Sequence, residues 1–135
     1  LAELLRSSRS LEQLHLTNNL QLGDATGAAM ADALRENTET RLRVLGLAAT
    51  GMGPTAASGF AALLRSNFSL EKLDLRVFPA LGGPAGVALA EALRENAETK
   101  LRELDLQYTD MEAAAREAFE ALQRTRPQIV VKLDS

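Results

Sequence analysis

The 135-residue sequence predicts an α/β solenoid, a curved horseshoe segment with parallel strands on the concave face and helices on the convex face. Three observations carry that prediction. The pattern L-x-x-L-x-L occurs at Leu11-Leu14-Leu16, Leu42-Leu45-Leu47, Leu70-Leu73-Leu75 and Leu101-Leu104-Leu106, with a looser fifth copy over residues 129–133. Its first positions step by 31, 28, 31 and 28 residues. Residues 34–47, LRENTETRLRVLGL, are nearly rewritten 59 residues later as LRENAETKLRELDL over residues 93–106. Self-similarity at a fixed period marks stacked supersecondary units, none of which buries its leucines alone.

Each unit reads in order as strand, turn and helix. The L-x-L alternation is strand-like. Turns follow at Gly23-Asp24, Gly53-Pro54, Gly82-Gly83-Pro84 and Asp110. Glycine permits tight backbone, proline suits the first helical turn, and aspartate caps it. Alanine-rich helices come next, for example over residues 28–37 and 87–96. There Met30, Ala31 and Leu34, and again Leu89, Ala90 and Leu93, form an apolar stripe to lay on the strands. Asn37, Asn67 and Asn96 stand where a residue tolerant of left-handed backbone ends a helix. Strand–helix–strand crossovers of this kind are right-handed.

The extra residues of the long units fall in two places. Two precede the next strand, where Thr38-Glu39-Thr40-Arg41 contrasts with Phe68-Ser69. One follows the strand, where Asn19-Leu20-Gln21-Leu22 contrasts with Thr50-Gly51-Met52. The twice-written stretch is therefore a building unit, a helix end with a loop returning to the next strand, and Glu39 and Glu98 give it a charged rim. The chain is expected to form one domain over residues 1–135, about four and a half repeats long. Its opening, LAELLR, matches residues 60–65 at the 59-residue shift, so the domain is expected to begin inside a repeat, with further repeats of its own chain upstream. At the other end, Pro127 stops a helix and residues 129–135 supply a strand and a polar tail, expected to cap the stack.

Composition narrows the function classes. Hydrophobic residues make up 46% and charged residues 24%, which suits a folded globular chain. No run approaches the ~18 apolar residues of a membrane span, so no membrane partner is expected. The net charge of −3 argues against nucleic acid, whose phosphates call for a basic face. Without cysteine there is neither a disulfide nor a thiolate metal site, which fits a cytoplasmic setting.

Chemistry is sparsely represented. His15 is the only histidine and occupies an outward position on the first strand, without a nucleophile to serve. One His and no Cys do not supply the usual zinc ligands. Gly82-Gly83-Pro84-Ala85-Gly86 lacks the Lys-Ser/Thr ending of a phosphate-binding loop and reads as a turn. No catalytic residue, cofactor or metal is expected.

The outward strand positions are the better candidates for binding. They read Gln13, His15, Thr17, then Val44, Gly46, Ala48, then Lys72, Asp74, Arg76, and finally Glu103, Asp105, Gln107. Strands lie about 4.8 Å apart, so these rows form one surface. A protein partner of unknown identity is expected there through His15, Lys72, Asp74, Arg76, Glu103, Asp105 and Gln107. Phe78 and Tyr108 are expected to add an aromatic turn edge, since aromatic residues anchor interfaces. Phe78 has a competing reading as an inward-folded support for its turn, and Phe60 and Phe119 are expected in the core. Glu12, Arg43, Glu71 and Arg102 alternate in sign along neighbouring strands and suggest an ion-pair ladder.

The stretch Leu11 to Asn19, L-x-x-L-x-L-x-x-N, followed by an alanine-rich helix, resembles the leucine-rich repeat proteins. The two alternating repeat lengths are similar to the ribonuclease-inhibitor-like class. The resemblance covers nearly the whole chain and departs from the pattern at the turn asparagine. Asn19 keeps it, while Thr50, Phe78 and Thr109 replace it in later units, so those turns need another source of support. The resemblance implies a non-catalytic protein–protein interaction scaffold. Within that reading the repeats also resemble those of tropomodulin-like actin-filament cappers, which implies cytoskeletal work. The alternatives are a structural accessory subunit of a large assembly, cytoskeletal assemblies among them, or a GTPase-activating regulator of the leucine-rich type.

Overall fold

The computed structural model describes residues 1–134. Ser135, the end of the expected closing stretch, lies outside the described residues. Strands β1 (Gln13–His15), β2 (Val44–Gly46), β3 (Lys72–Asp74), β4 (Glu103–Asp105) and β5 (Val130–Lys132) form one parallel sheet in chain order. Helices α1 (Ala2–Ser7), α2 (Gly23–Glu36), α3 (Pro54–Leu64), α4 (Pro84–Glu95) and α5 (Ala113–Thr125) alternate with them, and a short 3-10 helix over Pro79–Gly82 precedes α4. The strand register follows the sequence repeat, with Leu14, Leu45, Leu73, Leu104 and Val131 stacked as direct partners. The flanking leucines of β2 to β4, including Leu42, Leu47, Leu70, Leu75, Leu101 and Leu106, are fully buried under the helices.

The helix layer closes that core with small residues. Ala31, Ala33, Ala56, Ala57, Ala90 and Ala92 are all buried, which lets the helices sit close to the sheet and to each other. Phe60 and Phe119 fill the larger spaces, as expected of them. Pro54 and Pro84 occupy the first helical positions, where a missing N–H costs nothing. At Gly82 even a methyl group would lie 2.6 Å from the Asp110 carbonyl, so the glycine-rich stretch serves close backbone packing.

Three expectations about local structure need correction. Asn37 and Asn96 do end helices, but with φ of −87° and −84° rather than in the left-handed region. Their function is to bond between units. The Asn37 amide donates to the Leu5 and Ser8 carbonyls at 2.9 and 2.7 Å, and its Oδ1 accepts the Glu39 N–H at 3.1 Å. Asn96 repeats this on the Leu64 and Asn67 carbonyls, both at 2.9 Å. Asn67, in the short loop, instead accepts the N–H groups of Ser69 and Leu70 within its own turn.

Asp24 does not cap its own helix. Its carboxylate crosses to the next unit and accepts the N–H groups of Gly53, Thr55 and Ala56 at 3.0, 3.3 and 2.7 Å, closing the first turn of α3. The Ala56 N–H holds this carboxyl below its ordinary value of 3.8, outweighing the upward push of burial with help from Gly53 and Thr55. Asp110 makes no such bond to α5 among the described residues; it adopts φ of 54° at the turn itself.

The charge ladder, finally, closes at one rung. Arg43 Nε meets Glu12 Oε1 at 3.1 Å, and no ion pair joins Glu71 to Arg43 or Arg102 among the described residues.

Candidate protein-interaction surface

The turn after each strand decides which side chains reach the surface. Four residues in equivalent positions, Asn18, Ala49, Val77 and Tyr108, take left-handed backbone with φ between 54° and 69°. The next residue supports the turn. Asn19 Nδ2 donates to the Leu16 carbonyl at 2.7 Å, Thr50 Oγ1 to Leu47 at 2.8 Å and Thr109 Oγ1 to Leu106 at 2.6 Å. The two threonines thus make the bond of the asparagine they replace. Phe78 has no such donor and fills the space instead, with 1% of its surface exposed.

Phe78 therefore presents no ring to a partner, and its place in the expected aromatic edge is withdrawn. Phe78 and Tyr108 are not equivalent: Phe78 matches Thr109, and Tyr108 matches Val77. One residue's offset at a left-handed turn separates an inward from an outward side chain. The exposed edge is Val77, 45% exposed, and Tyr108, 66% exposed. Tyr108 is further held by its N–H, which donates to Asp134 Oδ2 at 2.8 Å.

Beside this edge the outward positions of β3 to β5 converge. Lys72 pairs in register with Glu103, Asp74 with Asp105, and Asp105 with Lys132. Two carboxylates on adjacent strands repel unless a cation lies between them. Arg76 is that cation. Its Nε and terminal nitrogen donate to the two Asp74 oxygens at 2.9 and 2.8 Å, and its Nε lies 3.7 Å from Asp105 Oδ2. Lys132 Nζ meets Glu103 Oε1 at 3.1 Å. Backbone N–H groups complete the carboxylates, from Arg76 to Asp74 and from Gln107 to Asp105.

The ionisation states follow from this geometry. Burial pushes the Asp74 carboxyl up, but the hydrogen bonds and charge of Arg76, with Lys132 behind, carry it below 3.8. Asp74 in turn raises Arg76, first by hydrogen bonding and then by charge. Glu103 raises Lys132 in the same way. Lys72, Arg76 and Lys132 face Asp74, Glu103 and Asp105, so the patch balances its own charge. Lys72 forms no ion pair among the described residues and remains available to an outside acceptor.

His15 belongs to the same depression. Gly46, on β2 between β1 and β3, leaves the space above it open, and an added methyl would sit 3.3 Å from His15 Nδ1, a tight fit. A shallow cavity of ≈ 200 Å³ thus runs from His15 across Gly46 to Lys72, Asp74, Glu103 and Asp105. His15 itself pairs with Gln13 Oε1 at 3.2 Å. The expected surface residues other than Phe78 therefore lie on one face or its adjoining edge. Lys132 and Val77 were missed. Lys132 holds the same middle-strand position in the fifth copy, a signal present in the sequence; Val77 is identified by equivalence with Tyr108.

No family profile matches the chain. The solved structure of leiomodin-1 actin-binding site 2 is similar to it with a TM-score of 0.82 and 18% sequence identity, over 99% of this chain and 77% of that one. That similarity gives the fold a leucine-rich-repeat type. No helix among the described residues is long and apolar enough to cross a membrane.

Proposed function

We propose that this chain is a non-catalytic protein-interaction scaffold of the ribonuclease-inhibitor-like class, binding a protein partner through the outward faces of β3 to β5 and the Val77–Tyr108 edge. The observation that carries the reading is the braced charge network: Arg76 gripped by Asp74 beside Asp105, and Lys132 paired with Glu103, next to an exposed tyrosine. Side chains already held in place by neighbours lose little freedom on binding. Charges arranged this way give specificity more than raw affinity. Tyrosine supplies the desolvated anchor that such a polar patch lacks. An intracellular setting goes with this reading.

The test is affinity capture from a native extract, comparing the wild type with Asp74→Arg/Arg76→Glu/Asp105→Arg and, separately, Tyr108→Ala, each checked for folding by circular dichroism. A partner retained by the wild type and lost with both variants supports the reading. Partners that survive both variants would remove this face from consideration.

A second reading is specific enough to test. Leiomodin-1 actin-binding site 2 shares the fold over almost this whole chain, which makes actin the first defined partner to try, in a cytoskeletal role. Co-sedimentation with filaments and gel filtration with monomeric actin address it directly. Binding sensitive to the same two variants would join the two readings; no binding in either assay would leave the first standing alone.

A further inference from the structure

The opposite edge, where helices hand over to strands, carries a recess that the interaction surface above does not use. It arises from the alternation of loop lengths. The short loop at Phe68-Ser69 lies between the long loops containing Thr38 to Arg41 and Ala97 to Lys100. Two adjoining cavities open there, of ≈ 210 Å³ and ≈ 360 Å³, and share Thr40, Phe68 and Ser69 in their linings. Phe68 is 54% exposed, whereas the other three phenylalanines are buried. The inner cavity is backed by Leu34 and Leu63.

The backbone at this edge is also bonded differently from its counterparts. The Leu5 and Leu64 carbonyls each accept an asparagine amide from the following unit. Leu34 is their counterpart, but Asn67 turns its side chain into its own loop. The Leu34 carbonyl therefore receives no such amide among the described residues. Of the charged residues lining the recess, Arg43 pairs with Glu12 and Arg35 with Asp32, which leaves Arg41 and Lys100 beside Glu71. Arg41 and Lys100, equivalent residues on the two long loops, form no ion pair among the described residues.

We propose that this recess binds an acidic peptide segment of a protein partner, with one apolar side chain seated against Phe68, Leu34 and Leu63 and its flanking carboxylates directed to Arg41 and Lys100. The apolar cavity supplies the seat. The two free cations select charge and orientation. The Leu34 carbonyl, which no asparagine amide reaches among the described residues, is an acceptor for an occupant that brings an N–H. The site is independent of the β3 to β5 face, which lies on other residues.

The test is a titration of isotope-labelled protein followed by amide chemical shifts, with three synthetic pentapeptides. The first has a leucine between two pairs of glutamates, the second replaces its leucine by alanine, and the third replaces its glutamates by lysines. The first is expected to move the amides of Thr38, Thr40, Phe68 and Ser69. The alanine and lysine peptides, and the variants Phe68→Ser and Arg41→Glu/Lys100→Glu with the first peptide, are expected to bind roughly tenfold more weakly or worse. The same spectra verify that the variants remain folded. The proposal is overturned if the lysine peptide binds as well as the first, or if the first peptide leaves these amides still. Shifts confined to Lys72 and Asp105 would overturn it too, as would concentration-dependent shifts without peptide, which would mark a second copy as the occupant.

Discussion

The two edges of the solenoid solve the same problem by different reach. Where helices hand over to strands, Asn37 and Asn96 carry nearly identical bonds to carbonyls 29 and 32 residues away, and the sequence around them is copied almost letter for letter. Where strands hand over to helices, the supporting bond spans three residues, and Asn19, Thr50, Phe78 and Thr109 share the task. A bond between units must span a fixed gap with two donors and an acceptor, which an asparagine side chain provides and a hydroxyl does not. A bond within one turn needs a single donor, and a buried ring substitutes for it. Sequence latitude follows the reach of the bond.

That comparison is open to measurement by urea unfolding at constant m. The largest effect is expected from Phe78→Ala, about 3–5 kcal/mol, because a ring buried in the core leaves a cavity. Phe78→Thr is expected to recover about 1 kcal/mol or less of that loss by restoring the local bond. If Phe78→Ala cost under about 1 kcal/mol, the ring would not be what supports its turn. Next, Asn96→Ala is expected to cost about 2–4 kcal/mol, since it strips amide donors from two carbonyls, whereas Asn67→Ala should cost about 1 kcal/mol. Equal losses at the two positions would break the contrast between edges. Thr109→Val, which removes one local bond at unchanged shape, is expected to cost about 1 kcal/mol.

The smallest effect is expected from Asp24→Asn and is read through pH. The folded state holds this carboxyl below its ordinary 3.8, so its contribution is complete above pH 3.8 and fades as pH falls through the lowered value. Stability of the wild type should therefore fall more steeply below pH 3.8 than that of Asp24→Asn. Parallel curves would mean that the charge at α3 contributes nothing.

Much of this architecture is legible in the residues, and the limits are equally physical. The four L-x-x-L-x-L copies define strand order and register, because a step of one residue along a strand would turn the leucines out of the core. The 59-residue shift foretells that Asn37 and Asn96 behave alike. It does not reveal that they clamp the preceding unit, a matter of distance between units rather than of pattern. Asp24 escaped for the same reason: an aspartate at a helix start is ordinarily read as serving that helix. Phe78 and Tyr108 look alike in sequence, but alternation fails at a left-handed residue, and only backbone geometry tells inward from outward. On the outward strand face, the pattern is enough to bring Asp74, Arg76 and Asp105 together. Arg76 choosing Asp74 over Asp105 as its close partner depends on rotamers that the pattern does not encode.

The asparagine clamps and the aspartate cap have a mechanical consequence when taken together. Asn37 ties α2 to the end of α1, Asp24 ties α2 to the start of α3, and Asn96 ties α4 to the end of α3. The side-chain lacing of these three joints thus alternates between the two ends of the helices. The fourth joint, α4 to α5, is laced at the same end as the third, by Arg126 on the Arg94 carbonyl. No single helix end therefore carries all the ties, and loss of one lace leaves those of the neighbouring joints in place.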